Sequence, residues 1–131
     1  MRIKKTSQYI EGGATLPNYS TNEINTGSTW MGKPLYRKII TSPMPTATST
    51  TTPANINIDI TNLNIDFCKM EGYIATSSNN NKAIIPFPLI MEDGTFARIQ
   101  KYSTTINIYS TSSNVNDRYA YIILEYTKTT D

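Results

Sequence analysis

The sequence predicts an all-β protein, an antiparallel β-sandwich of the jelly-roll type. Apolar and polar side chains alternate in many short segments, and no segment shows helical periodicity. Clusters of Ser, Asn, Asp, Gly and Pro separate these segments at short intervals. Short strands joined by such turn signals are typical of a sandwich or a jelly roll.

The clearest alternation runs through residues 55–61, in which three isoleucines occupy alternate positions. Residues 63–67 alternate again, but with the opposite parity. A slip by one residue sends every following side chain to the other face of a sheet. We therefore expect a bulge or a chain break near Asn62.

Further strands are expected from Leu35 onward and in the second half of the chain, at residues 67–76, 82–87, 95–101, 104–109 and 118–127. Gly72 suggests a bulge or a close approach, and the prolines of residues 86–88 restrict their strand to a sheet edge or a bulge. The last strand is apolar or aromatic on both faces, so we expect it in the centre of a sheet or at a subunit contact.

Polar turns are expected at residues 77–81, 92–94 and 110–117. Residues 41–54, TSPMPTATSTTTPA, are rich in Pro and Thr. We interpret this stretch as an extended connection or a mobile loop that buries no apolar area.

Composition limits the classes of function. The 131 residues are enough for one domain with its own core. A net charge of +2 with dispersed Lys and Arg does not favour nucleic-acid binding. No apolar run approaches the roughly 20 residues of a membrane span, so we expect no membrane insertion. Cys68 is the only cysteine, which excludes an intramolecular disulfide.

Histidine is absent from the sequence, which removes Ser-His-Asp and Cys-His catalysis and His-ligated zinc. Paired carboxylates, which polysaccharide-cleaving enzymes use, remain. The candidates, explained more simply as solvated strand and turn residues, are Asp59, Asp66, Glu71, Glu92, Asp93 and Glu125. Asn57, Asp59 and Asp66 offer oxygen ligands for Ca²⁺, but the calcium-loop pattern is missing. We therefore predict a non-enzymatic protein without cofactor or metal.

The most informative segment is residues 19–38, YSTNEINTGSTWMGKPLYRK, where the only tryptophan, Trp30, ends a polar loop and precedes the turn residues Gly32 and Pro34. With the ending AYIILEYTKTTD, it resembles the C-terminal head, or receptor-binding, domain of tail-fibre and phage-like bacteriocin proteins from bacteriophages of Gram-positive hosts. The residues that carry this resemblance are Trp30, Gly32, Lys33, Pro34, Tyr36, Arg37, Lys38 and Tyr126. The turn is one residue shorter than the family's pattern and lacks its Asp.

The resemblance implies a domain organisation and partners. Residues 1–18 would connect to an upstream fibre shaft, and residues 19–131 would form the β-sandwich head. Because such heads assemble as trimers, the resemblance implies a homotrimer in the virion, at the tip of a phage tail or phage-like particle. No apolar segment follows the basic N-terminus, so we expect synthesis in the bacterial cytoplasm without a signal peptide.

Aromatic faces and amides commonly bind sugars, and the loops of a rigid sandwich are common recognition sites. We expect ligand contacts from Tyr102, Tyr109, Trp30, Asn79, Asn80, Asn114 and Asn116. Most other tyrosines are expected to pack, and Trp30 fits better as an anchor of its turn or as a trimer contact.

Three functions remain open at this stage. The first is a tail-fibre tip that binds a host-surface saccharide or a teichoic-acid-like polymer, with avidity from its three copies. The second is a trimerisation or structural cap that registers the shaft and touches no receptor. The third is a polysaccharide hydrolase or lyase domain. The ordered motifs and the missing catalytic residue types favour the first.

Overall fold

A computed structural model describes residues 19–48, 52–76 and 84–131, which form nine β-strands and two short 3₁₀ helices. The strands are β1 (Ile24–Trp30), β2 (Lys33–Pro43), β3 (Ala54–Asp59), β4 (Ile65–Thr76), β5 (Ile84–Pro86), β6 (Leu89–Ile90), β7 (Phe96–Lys101), β8 (Thr105–Ser110) and β9 (Arg118–Lys128). The 3₁₀ helices are Thr61–Leu63 and Ser113–Val115. The predicted connector, residues 1–18, and the predicted turn with Asn79 and Asn80 lie outside the described residues.

The strands pair in two antiparallel sheets that pack together, which confirms the predicted β-sandwich. The five-stranded sheet has the order β1-β2-β9-β4-β5, and the four-stranded sheet has the order β3-β8-β7-β6. The predicted central place of the last strand is confirmed, because β9 pairs with β2 on one side and with β4 on the other. Pro86 lies in the edge strand β5, as expected for a residue that cannot donate a ladder hydrogen bond.

The core lies between the two sheets and consists of side chains on the inward faces of the strands. The inward residues of β9 are fully buried, and Ile106 and Ile108 of β8 meet them from the other sheet. Gly72 of β4 marks a close approach, as the sequence suggested. A Cβ atom at this position would lie 2.7 Å from Cδ1 of Ile99 and 3.0 Å from Cδ2 of Phe87. The small residue therefore lets the two sheets approach each other.

The change of parity near Asn62 is a break between strands. The 3₁₀ helix Thr61–Leu63 ends at Asn64, whose left-handed backbone has a φ of 54°. It connects β3 in the four-stranded sheet with β4 in the five-stranded sheet. The chain changes sheet here, so residues on either side of the break do not share one pleat.

One strand lies where the sequence predicts a polar loop. β1 pairs with β2 in a hairpin whose turn consists of Met31 and Gly32, with φ values of 51° and 83°. Positive φ at both central positions is the geometry of a type I′ turn, which matches the twist of paired strands. The predicted corner at this position is thus a hairpin turn, and Trp30 faces Lys33 across it.

The expectation that residues 41–54 bury no apolar area is wrong for their first part. β2 continues to Pro43, and Met44 and Ala47 are buried beyond it. The side chain of Asn116 accepts a hydrogen bond from the N–H of Ala47 and donates one to its carbonyl, at 3.0 and 2.8 Å. These bonds hold the segment against the sandwich. Among the described residues, no helix has the length and apolar character to cross a membrane.

Candidate ligand-binding face

The outer face of the four-stranded sheet carries polar and aromatic side chains. Successive residues of a strand point to opposite faces, so the neighbours of the half-buried isoleucines in β3 and of the buried isoleucines in β8 lie on the outer face. We call this surface the amide–arginine face, and it consists of Asn55, Asn57, Phe96, Arg98, Gln100, Asn107 and Tyr109.

The strand register arranges the amide–arginine face in rows across β3, β8 and β7. Asn55, Tyr109 and Arg98 form one row. A second, parallel row consists of Asn57, Asn107 and Gln100. Since paired strands are about 4.8 Å apart, each row is about 10 Å wide.

The amide of Asn107 is the centre of a hydrogen-bonded cluster. Asn107 is only 9% exposed, and its Nδ2 donates to Oδ1 of Asn57 at 2.9 Å and, more weakly, to Oδ1 of Asn55 at 3.4 Å. An unpaired NH₂ group on a nearly buried amide would be costly, so these bonds stabilise the cluster. Asn55 and Asn57 turn their oxygens towards Asn107, and their NH₂ groups consequently point away from it.

The guanidinium of Arg98 lies over aromatic rings of the same face. Its Cζ is 4.6 Å from the ring centroid of Tyr109 and 5.8 Å from that of Phe96, within the range of cation–π attraction. The two rings contact each other at a centroid distance of 5.7 Å. Within the described part of the chain, Arg98 forms no ion pair. The guanidinium is therefore held over the rings by cation–π attraction, while its N–H groups stay available.

Two of the residues predicted from the sequence to contact a ligand meet at this face. Tyr109 is part of it, and Tyr102, 53% exposed, donates from its hydroxyl to Oε1 of Gln100 at 3.0 Å. Arg98 and the amides of Asn55, Asn57, Gln100 and Asn107 were not among the residues predicted from the sequence to contact a ligand. The signal that was present is the alternation of amides with isoleucines in β3 and β8, because it places every amide on the face opposite the core.

The other predicted ligand residues lie elsewhere. Trp30 lies on the five-stranded sheet, where its ring stacks on Phe67 at a centroid distance of 4.6 Å and an interplanar angle of 9°. Asn114 is exposed in the second 3₁₀ helix, and the side chain of Asn116 is engaged with the backbone of Ala47.

Five of the six candidate catalytic carboxylates accept hydrogen bonds from other groups of the protein. Glu125 accepts hydrogen bonds from Nε and Nη2 of Arg37 at 2.9 and 2.6 Å, and Nζ of Lys69 lies 3.0 Å away. Burial acts to raise the pKa of Glu125, but the hydrogen bonds from Arg37 and Lys69 outweigh it and lower that pKa. Asp66 pairs with Lys33 at 3.0 Å.

The remaining candidate carboxylates are Asp59, Asp93, Glu71 and Glu92. Asp59 and Asp93 each accept from the hydroxyl and the N–H of a threonine two residues later, which lowers both pKa values. Glu71 accepts from the hydroxyl of Tyr73 at 3.3 Å, and Glu92 is an exposed turn residue.

The oxygen ligands considered for Ca²⁺ are divided between the two sheets. Asn57 and Asp59 belong to β3, whereas Asp66 belongs to β4. Across residues 19–48, 52–76 and 84–131, no three His, Cys, Asp or Glu residues gather in a way that would hold a metal ion.

The outer face of the five-stranded sheet has a different character. We call it the tyrosine–isoleucine face, and it consists of Ile39, Tyr73, Tyr119, Tyr121 and Ile123. Ile39 pairs with Ile123, and Tyr73 pairs with Tyr121. These side chains are not part of the core, and Tyr119 is 41% exposed. The ion-paired Arg37, Glu125 and Lys69 form the next row of the same face.

Comparisons with known proteins do not assign the chain to a family. No family model, no curated protein and no solved structure matches it significantly.

Proposed function

We propose that this chain is a non-enzymatic binding domain that recognises a bacterial surface glycan or cell-wall polymer through the amide–arginine face. The observation that carries the proposal is the position of Arg98 over the ring of Tyr109, beside a hydrogen-bonded amide cluster on the same outer sheet surface. Sugars present many hydroxyl groups, and amide and guanidinium groups bind such ligands through directional hydrogen bonds. A sheet fixes these groups before the ligand arrives, which reduces the ordering cost of binding.

The biological setting that we propose follows from the sequence. The segment of residues 19–38 and the ending EYTKTTD resemble the head domain of tail-fibre proteins. The domain would accordingly form the tip of a fibre in a virion or a phage-like particle, attached to an upstream shaft.

Self-association as a homotrimer is part of the proposal. The tyrosine–isoleucine face supports it, because isoleucine and tyrosine side chains that lie outside the core are stabilised when a second copy covers them. Three copies would present three glycan sites on one rigid tip. Linked weak sites can raise the overall affinity by about two to four orders of magnitude without any new contact.

Decoration of cells tests the proposed function. Fluorescently labelled protein should bind the surface of a Gram-positive host, and a variant with both Arg98→Ala and Gln100→Ala should lose most of that binding. Both side chains are exposed, so the variant should keep its fold, which thermal melting checks. Glu92→Ala, at an exposed turn outside the face, is the matched control. Equal decoration by the double variant would contradict the assignment of the face.

A trimerisation or structural cap is the second candidate function. The tyrosine–isoleucine face favours it as well, since association needs no receptor. A trimer that decorates no cell from a broad panel of Gram-positive strains would support this alternative. A reducing-end assay with cell-wall polysaccharide tests the hydrolase and lyase hypothesis, and sustained release of reducing ends would overturn the non-enzymatic proposal.

A further inference from the structure

We infer that the amide–arginine face takes an anionic glycan, a chain of sugar or polyol units that carry phosphate or carboxylate groups. The inference rests on the proposed function and specifies the chemical class of its ligand. It depends on which hydrogen-bonding groups of the face bond to other protein groups and which remain for a ligand.

The oxygen acceptors of this face are mostly engaged within the protein. Oδ1 of Asn57 and Oδ1 of Asn55 accept from Asn107, and Oε1 of Gln100 accepts from Tyr102. The amide oxygen of Asn107 has no such bond among the described residues, but this residue is nearly buried. Three carboxamide oxygens are thus directed towards protein donors.

The groups that remain for a ligand are mainly donors. An amide whose oxygen is engaged still has two N–H groups, and a guanidinium has five N–H donors and no acceptor. The face therefore presents the NH₂ groups of Asn55, Asn57 and Gln100 together with the N–H edge of Arg98. A neutral sugar hydroxyl both donates and accepts, whereas an oxyanion only accepts. A surface rich in donors matches the oxyanion better.

The charge of the amide–arginine face also favours an anionic ligand. Arg98 is the one arginine or lysine among the described residues of the amide–arginine face, and no carboxylate neutralises it there. The acidic residue on the outer side of these strands, Asp59, lies two rows along β3 from Asn55. Its carboxylate is directed to Thr61. An oxyanion would meet a net positive potential at the Arg98 end of the row.

The two rows also indicate how a ligand would lie. Arg98 is at one side of the first row and Asn55 at the other, with Tyr109 between them. Arg98 lies over the ring of Tyr109, so that position offers a guanidinium group where the sequence alone suggested an aromatic side chain. A charged group at Arg98 and hydroxyls at the amide side would use the whole width of about 10 Å.

Titration with matched oligomers tests the inference. The full chain is titrated with a glycerol-phosphate oligomer, a galacturonate oligomer and a neutral glucose oligomer of equal length, with calorimetry for affinity and side-chain amide resonances for location. We expect at least one anionic oligomer to bind about tenfold or more tightly than the neutral one, because hydrogen bonds to charged groups are the stronger ones. The preferred anionic oligomer distinguishes phosphate from carboxylate. The resonances of Asn55, Asn57 and Gln100 should shift.

Variants at Arg98 distinguish the contribution of its charge to affinity from that of its planar, forked shape. Arg98→Gln should reduce the anionic affinity about tenfold or more and weaken its dependence on salt, since screening acts on charges. Arg98→Lys should recover part of the affinity, because it keeps the charge and loses the planar fork. Arg118→Gln removes the same charge from the other sheet and should have little effect.

The outcomes distinguish the inference from the proposed function. Neutral and anionic oligomers that bind equally tightly, or Arg98→Gln protein that binds the anionic oligomer as the native chain does, would overturn the anionic assignment and leave glycan recognition intact. Failure to bind any of the oligomers and any host cell would overturn the proposed function itself.

Discussion

At the residue scale, Met31 adopts a backbone conformation that does not suit it. Its φ is 51° and its side chain is 88% exposed, so little packing compensates for the left-handed conformation. Asn-Gly is the favoured pair in a type I′ turn. We predict that Met31→Asn raises the free energy of unfolding by about 0.5–1 kcal/mol, measured by urea denaturation.

Met31→Val provides the control for the turn. A β-branched residue tolerates positive φ poorly, so this variant should lower the free energy of unfolding. If Asn and Val had the same effect at this position, the type I′ turn would not be the cause.

Gly72 is a second position at which one residue affects stability, because a larger side chain does not fit between the two sheets there. An added Cβ would meet Cδ1 of Ile99 at 2.7 Å, and overpacking a core typically costs about 1–3 kcal/mol. We predict that Gly72→Ala destabilises the fold by an amount in this range, measured by urea or thermal unfolding.

Ile99→Val removes Cδ1, the atom that the new Cβ would touch, so the effects of the two substitutions on stability should be coupled. Alone, Ile99→Val should cost about 0.5–1.5 kcal/mol. Combined with Gly72→Ala, it should cost less than the sum of the two single changes, as residues in contact are not additive. If the two free-energy changes were strictly additive, contact with Ile99 would not be the reason why Gly72→Ala destabilises the fold.

At the scale of elements, two ion-paired clusters join strands that are distant in sequence. Glu125 of β9 binds Arg37 of β2 and Lys69 of β4. Glu23, just before β1, accepts from the hydroxyl of Tyr126 and from Nζ of Lys128, both in β9. Burial acts against the charge of Glu23, but its hydrogen bonds to Lys128 and Tyr126 lower its pKa overall, as they do for Glu125 with its own partners.

These lowered pKa values predict a dependence of stability on pH. The unfolded chain binds more protons than the folded one as the pH falls through the ordinary glutamate pKa of about 4.3. The stabilisation is therefore fully present above about pH 5 and is lost as the pH falls through the lowered folded-state values. Urea midpoints measured across this range should fall on acidification. Glu125→Gln should be less stable at neutral pH and should show a smaller acid-induced loss; an unchanged pH profile would contradict the role of this pair.

The strands that alternate strongly could be predicted from the sequence, and those that depend on distant partners could not. β3, β8 and β9 carry isoleucine or tyrosine at alternate positions, so their faces follow from local pattern. β1 has few apolar side chains and exists because its backbone pairs with β2. The buried segment at Met44 and Ala47 depends on Asn116, which is 69 residues beyond Ala47. Local composition contains no information about such contacts.

At the scale of the whole molecule, the same limit explains how much of the candidate site could be predicted. Tyr102 and Tyr109 could be selected because their residue types and turn neighbours are visible in the sequence. Arg98 could not, since an arginine in an alternating strand resembles any solvated edge residue. Its position over Tyr109 depends on the register between β7 and β8. A site that spreads over three strands emerges only when the sheet order is known.

The sandwich has two outer faces of opposite character, and this asymmetry predicts how copies of the chain associate. The amide–arginine face is donor-rich and suits a polar ligand, while the tyrosine–isoleucine face is mainly apolar, with Glu71 beside Ile123 and ion-paired residues in the adjoining row. Covering the apolar face with further copies leaves the polar face free. Because the proposed assembly is a homotrimer, we predict that light scattering of the native chain gives three times the monomer mass.

Ile123→Lys tests this arrangement directly. Ile123 lies in the middle of the apolar face, between Ile39 and Glu71, and its side chain points away from the core. Burying an ammonium in a self-association interface carries a large desolvation cost, which pairing with the neighbouring Glu71 does not repay when both charges leave water, so the variant should dissociate to monomers while its circular-dichroism spectrum remains that of a β-protein. Asn57→Lys places the same charge on the opposite face and should leave the trimer intact. A native chain that is monomeric at micromolar concentration, or an Ile123→Lys variant that remains trimeric, would show that copies of the chain do not associate through this face.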